Sequence, residues 1–214
     1  MVKIEQEILV DKLRVKMNED LPGLSSQLVA APPFRASLFS EEDIKVARRA
    51  SVLWLMYPCE DGWEGVLIVR APYDGVHSGQ VALPGGERDE CDANDLDAAL
   101  RECEEEIGVR VERNKVVGAL SPLYIPPSKF YVRPYVACLD YKPEFVLDEV
   151  EVSEVLFLKI SKLCSEDLWR EYKIKGNVVP GFEIEGNIVW GATAMMLAEI
   201  SDCCRDIFID TFES

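Results

Sequence analysis

The sequence predicts a mixed α/β architecture: α+β, or a mixed-sheet α/β sandwich with an N-terminal helical extension. Short β-branched and aromatic runs are interleaved with helix-spaced segments, without the strict alternation that an all-parallel sheet requires. The chain has 214 residues, 48% of them hydrophobic and 29% charged. That suits one domain with extensions and a sizeable core that needs no staples. Residues 1–50 are expected to be the extension, 51–202 the main domain and 203–214 a tail.

In order, residues 3–18 place Ile4, Ile8, Leu9 and Leu13 at helical spacing and predict a helix. Leu21 to Ser40 holds Pro22, Gly23, Pro32 and Pro33 and predicts an irregular connector. Residues 41–49 predict a short helix. Val52–Tyr57 and Val66–Arg70 predict two strands, with CEDGWEG as their hairpin turn, and a short strand follows at Gln80–Leu83. A strong helix starts near Asp92 or Asn94 as cap and ends at Gly108. Lys115–Leu120, Tyr131–Leu139 and Glu154–Ile160 predict strands, the first two separated by the loop SPLYIPPSK. Leu163–Trp169 predicts a short helix. Gly181–Val189 predicts a hairpin arm with Gly186 near its turn, and Gly191–Asp202 a final helix.

The charge balance is 23 basic against 39 acidic residues, net −16. Such a surface disfavours nucleic acid and anionic membranes as partners, while a small anionic substrate can still bind if a cation reverses the local sign. The start lacks the basic-then-apolar plan of a signal peptide, and no long uncharged apolar run exists, so a cytoplasmic location is expected. Seven cysteines with no CxxC pair are expected to be free thiols, several of them buried. One histidine, His77, leaves a zinc site poorly supported.

The chemistry concentrates in the helix before Gly108. Leu96, Leu100, Cys103 and Ile107 share one face, and Glu102, Glu105 and Glu106 share another. Three carboxylates so close repel one another. Either the face is solvated, or a hard divalent cation with oxygen ligands offsets the repulsion. Pro84-Gly85-Gly86 precedes the helix, allowing close backbone approach to a ligand and offering a free carbonyl. Arg101 stands four residues before Glu105 and is placed to orient it.

Arg101-Glu102-Cys103-Glu104-Glu105-Glu106-Ile107-Gly108-Val109 resembles the second half of a Nudix box. The first half departs from it, with one extra residue between Gly86 and Arg101 and Asp92 in place of a glutamate. Those departures are similar to the coenzyme A pyrophosphatase branch, whose GGxxDxxD pattern fits Gly85 to Asp92. Arg70, Gly79 and the PGG also match that branch's upstream signature. Ala71, Gly75 and Leu83 replace its serine, second arginine and phenylalanine. Pro126-Pro127-Ser128, Val132-Arg133-Pro134 and Ile188 to Ala194 resemble it further downstream, so the likeness covers roughly residues 50–200.

The resemblance implies a Nudix-type α/β/α sandwich that hydrolyses a nucleoside diphosphate linked to another group, with Mg²⁺ or Mn²⁺ as cofactor. It implies Glu102 and Glu106 as metal ligands, Glu105 as third ligand or general base, and the Gly86 carbonyl as a further ligand. Glu102, Glu105 and Arg101 are the catalytic candidates, with Asp89 and Asp92 shaping the loop. A base on a distant loop stays open; Asp148, Glu149 and Glu151 are read there as surface acids. Arg70, Arg88, Lys129 and Arg133, each in or beside a matched motif, are the substrate-binding candidates. His77 stays open between a structural role and a substrate contact, and Trp190 is expected to pack the final helix. Coenzyme A is the expected substrate; ADP-ribose, a nucleotide sugar or a dinucleotide is the alternative. A binding module without turnover is a third reading, and its broken carboxylates are not seen here. The resemblance leaves a homodimer open.

Overall fold

The computed structural model describes residues 3–33, 35 and 40–212. Helix α1 (Lys3–Met17) turns Leu9, Leu13 and Met17 into the core, and Ile4 and Ile8 stay exposed on a different face. The connector contains α2 (Leu24–Gln27) and a 3-10 turn at Leu28–Ala30. The helix expected over 41–49 is shorter. As α3 it spans Glu41–Lys45, starting at a Ser40/Asp43 capping box. It stops there because Arg48 and Arg49 are already paired with a neighbouring strand.

Strands β1 (Arg48–Cys59) and β2 (Gly62–Arg70) form the expected hairpin. Then come β3 (Val81–Ala82), β4 (Gly85–Glu87), α4 (Asp95–Ile107), β5 (Val116–Ala119), β6 (Leu123–Ile125) and β7 (Phe130–Cys138). Next are β8 (Val152–Lys159), α5 (Ile160–Leu163), β9 (Arg170–Ile174), β10 (Asn177–Ile184), β11 (Asn187–Trp190) and α6 (Gly191–Phe212). Three expectations are corrected. The loop SPLYIPPSK contains β6, which completes a ladder on β7. The short helix lies at Ile160–Leu163 instead of Leu163–Trp169, and the residues after it form β9 against β10. The last helix does not end at Asp202, because Cys203, Cys204, Ile207 and Phe208 continue its buried face.

The larger sheet runs β3-β2-β1-β7-β5, with β4 on β1, β6 on β7 and β8 on β2. β1 and β7 are parallel and every other pairing is antiparallel, so the sheet is mixed. Strand periodicity divides its side chains between two cores. Leu53, Leu55, Tyr57, Val66 and Ile68 face α4, packing with Ala99, Cys103 and Ile107. Trp54, Met56, Leu67 and Val69 face α1 and α6, packing with Leu13, Met195 and Leu197. The result is an α/β/α sandwich. Gly65 makes room for this packing, since a Cβ there would sit 1.8 Å from the Trp54 ring.

The extension is pinned to α6. Glu199, fully buried, accepts from Gly23 N (3.2 Å), Gln27 Nε2 (2.9 Å) and Ser121 N (3.2 Å). Ser26 also bonds Asp202. All seven cysteines are free thiols, five of them buried. Among the described residues no helix is long and apolar enough to cross a membrane.

Candidate active site

Helix α4 starts where Asn94 accepts from the Asp97 N–H (3.1 Å), and ends at Gly108, whose φ of 71° closes it with a left-handed residue. Strand β4 lies between this helix and β1. At Gly85, φ is 147° and a Cβ would meet the Ser51 carbonyl oxygen at 2.3 Å. At Gly86 a Cβ would fall 2.5 Å from the Glu102 carboxylate. The two glycines let the β4 backbone pass between β1 and the acidic face of α4.

Three carboxylates meet there. Glu102, Glu106 and Glu151 each present an oxygen, all within 4.8 Å of one another. The Glu106 side chain is 1% exposed. It accepts from Gly85 N (2.7 Å), and Arg70 Nη1 lies 3.9 Å from its Oε1, an ion pair too long for a hydrogen bond. That oxygen has no hydrogen-bond partner. Burial pushes the Glu106 carboxyl up to about 8, against the opposing pull of the Gly85 N–H and Arg70. Burial also raises Glu102, while Arg101 opposes the shift. A buried, under-bonded carboxylate beside two others is a donor set suited to a hard divalent cation.

Arg101 organises the surroundings. Its Nε and Nη2 bind Asp92 (3.1 and 2.9 Å), its Nη1 binds Glu102 (2.7 Å) and Glu105 (2.8 Å), and Nη2 also reaches the Glu87 carbonyl (3.2 Å). The Asp92 carboxyl is held below the usual carboxylate range by Arg101. Asp92 also accepts from the Asp89 N–H (2.8 Å), so it ties the loop to the helix, and Asn94 is the cap. Glu105 is 59% exposed on the helix flank and lies outside the three-carboxylate cluster. Glu151, read from sequence as a surface acid, stands inside it. The acidic stretch before β8 was its only sequence signal.

Beside the cluster opens a cavity of about 650 Å³. Glu102, Glu151, Gly86 and Arg70 line it, with Val76, His77, Gln80 and Trp190. Ile125, Pro126, Pro127, Phe130 and Met196 supply apolar wall. Of the four expected substrate-binding cations, Arg70 alone lines the cavity. Arg88 is used up on the Asp92 and Ala93 carbonyls and on Asp95. Lys129 is exposed in the β6–β7 turn, and Arg133 is exposed on β7. The cations that do line the cavity with Arg70 are Arg35, Arg48 and Lys175. Arg48 binds Glu87 through Nε (2.7 Å) and lies 4.3 Å over the Phe130 ring. Arg35 is 8% exposed, and burial lowers it to about 10.

His77 Nδ1 lies 3.0 Å from Gln80 Oε1. Its Nε2, Arg70 Nε and Ser128 Oγ are buried, without hydrogen-bond partners, on residues that line the cavity. Buried polar atoms are rarely left unpaired, and those that are call for an explanation. A polar ligand in the cavity supplies one.

The NUDIX domain model matches residues 47–182. Over 160 residues the chain is 32% identical to a protein of Yersinia pestis (strain Pestoides F) named "Uncharacterized Nudix hydrolase NudL", covering 72% of this chain and 78% of that one. The figures are the same for the protein of that name from Yersinia pseudotuberculosis serotype O:1b (strain IP 31758). A crystal structure of a MutT/nudix family protein from Enterococcus faecalis superposes with a TM-score of 0.52 at 15% identity. It covers 88% of this chain and 71% of that one, a likeness of fold.

Proposed function

The chain belongs to the NUDIX domain family and is a Nudix hydrolase, a pyrophosphatase, and from that premise we propose that it cleaves coenzyme A or its derivatives to adenosine 3′,5′-bisphosphate and 4′-phosphopantetheine. The observation that carries this reading is the cavity itself. It joins a carboxylate cluster to a long wall of proline, isoleucine and aromatic side chains with arginines set into it. A diphosphate carrying a nucleotide at one end and an extended, weakly polar arm at the other suits such a surface. The residues Gly85 to Asp92 and the upstream Arg70–Gly79 spacing support the same branch.

We assign Glu102, Glu106 and Glu151 to holding Mg²⁺ or Mn²⁺, with the Gly86 carbonyl as a further ligand. Such a cation, when bound, neutralises diphosphate charge and makes a water more acidic. The chain's own residues do the rest. Arg101 fixes the rotamers of Glu102 and Glu105, and Asp92 fixes Arg101. Glu105, left outside the cluster, is our candidate to take the proton from attacking water. Arg70 sits where it can leave its long ion pair with Glu106 and bind a diphosphate oxygen. His77, whose Nε2 is buried and unpaired, lines the same cavity. Residues 51–202 are read as the catalytic unit, 1–50 as an extension that contributes to one cavity wall, and 203–214 as a tail whose residues up to Phe212 belong to α6. The charge of −16 supports a protein without nucleic-acid or anionic-membrane partners, and a cytoplasmic location stays our reading; homodimerisation is left to measurement.

Gly75 favours a second reading. It stands where the branch carries an arginine, and a Cβ there would meet the Tyr73 ring at 2.0 Å. ADP-ribose, a nucleotide sugar or a dinucleotide would then be the substrate. The test is incubation of the purified protein with coenzyme A, ADP-ribose or NADH plus Mg²⁺ or Mn²⁺, with products read by mass spectrometry. Phosphopantetheine formed far faster than the other products supports the first reading. Intact coenzyme A beside a cleaved ADP-ribose or NADH overturns it in favour of the second.

A further inference from the structure

We propose that the N-terminal extension supplies Arg35 to a second anion site in this cavity, at the β6 end, which with Ser128 binds a phosphomonoester carried by the substrate in addition to its diphosphate. Arg35 lies outside the segment that matches the family model. It lines the cavity while being 8% exposed, and its backbone N–H bonds the Pro32 carbonyl (2.9 Å). Its guanidinium makes one hydrogen bond among the described residues, to the Tyr124 carbonyl of β6. None of the ion pairs among those residues involves it, so among them this largely buried guanidinium has no carboxylate partner. An anion would relieve that cost.

The second observation is independent. Ser128, in the turn that follows β6, also lines the cavity, and its hydroxyl is buried with no partner. A planar guanidinium and a free hydroxyl are the donor types that bind phosphate oxygens. The site is separate from the carboxylate cluster. The ladder runs from β4 through β1 and β7 to β6, three strand spacings or about 14 Å. A substrate reaching both ends has its scissile diphosphate at one and a phosphomonoester at the other. This deepens the reading of the function given above and rests on it.

The test uses the full-length chain in two assays. Turnover is compared on coenzyme A and 3′-dephospho-coenzyme A with Mg²⁺. Binding of adenosine 3′,5′-bisphosphate and adenosine 5′-monophosphate is measured by calorimetry with chelator present. In the unaltered protein the phosphomonoester is expected to raise both kcat/KM and affinity about tenfold or more, mainly through KM. Arg35→Ala should bring both ratios close to one, Ser128→Ala should lower them in part, and Arg35→Lys should restore part of the Arg35→Ala loss. Ratios that Arg35→Ala leaves intact, or no preference in the unaltered protein, overturn the proposal. Should neither diphosphate be cut, the hydrolase reading on coenzyme A fails and the binding ratio still decides the anion site. Should Arg35→Ala not fold, Arg35→Lys and Ser128→Ala decide it.

Discussion

Glu106 carries the sharpest consequences at the scale of single residues. It is buried, accepts one N–H and leaves one oxygen unpaired. Glu106→Gln keeps an acceptor for Gly85 N–H but removes the charge. Turnover should fall on the order of a thousandfold with the circular dichroism spectrum unchanged, and retained activity would remove Glu106 from the ligand set. Its titration gives a second expectation. Between the ordinary 4.5 and about 8, the folded chain holds a proton that the unfolded chain has released. The metal-free protein should therefore lose stability as pH rises through that window, with a limiting slope of about 1.4 kcal/mol per pH unit. Urea titrations in chelator across the window should show this slope and Glu106→Gln should flatten it. A slope unchanged in the variant would assign it to other groups. Glu151→Gln should weaken Mn²⁺ binding more than Glu105→Gln does, because Glu151 stands in the cluster and Glu105 does not.

Among the elements, α4 and β4 form one device. The helix was legible in the sequence because every signal that makes it is local: the Asn94 cap, the periodic face of Leu96, Leu100, Cys103 and Ile107, and the Gly108 stop, although the structure rotates that face so that Ala98 and Ala99 are buried and Leu96 and Leu100 half-buried. The close backbone approach at Pro84-Gly85-Gly86 is legible in the sequence, but that it is a strand, β4, is not. What it pairs with depends on β1, more than thirty residues away. Gly86→Ala tests the device. Its Cβ would displace the Glu102 carboxylate, so activity should fall steeply while the melting temperature shifts little. Gly65→Ala tests the opposite face of the sheet. Overpacking against Trp54 should destabilise the fold by about 1–3 kcal/mol, seen as a lower urea midpoint, and a neutral outcome would mean that the indole has room to move. Strands β6 and β9 were missed for a common reason. Each is short, and their neighbours β7 and β10 hold them in place more than their own composition does.

Over the whole molecule, residues 3–33 with Arg35 and α6 form the layer that closes one side of the sandwich and extends to the cavity. Glu199 joins them by accepting from Gly23 N and Gln27 Nε2, and accepts a third bond from Ser121 N between β5 and β6. Glu199→Leu would leave three donors short of their acceptor, costing about 3 kcal/mol or more. Amides of residues 23–30 should then exchange faster than those of β1. Uniform protection across both would show that apolar packing alone seats the extension. The core itself was largely legible, since alternation in β1 and β2 assigns each side chain to one of two faces.

The sequence by itself determined the acidic helix with its caps, the glycine approach, the mixed α/β class, the free thiols and the acidic surface. All of these are set by spacing within one element or by composition. Only the tertiary structure decided which charged groups surround the site. It brought in Glu151, Arg35 and Arg48, turned Arg88 onto its own loop, and left Lys129, Arg133 and Glu105 exposed. The physical reason is range. A helical or strand period orders residues a few positions apart. Glu102 and Glu151 meet, and Arg35 and Ser128 line one cavity, through the packing of helix, sheet and connector segments distant in sequence, and no local pattern encodes that packing.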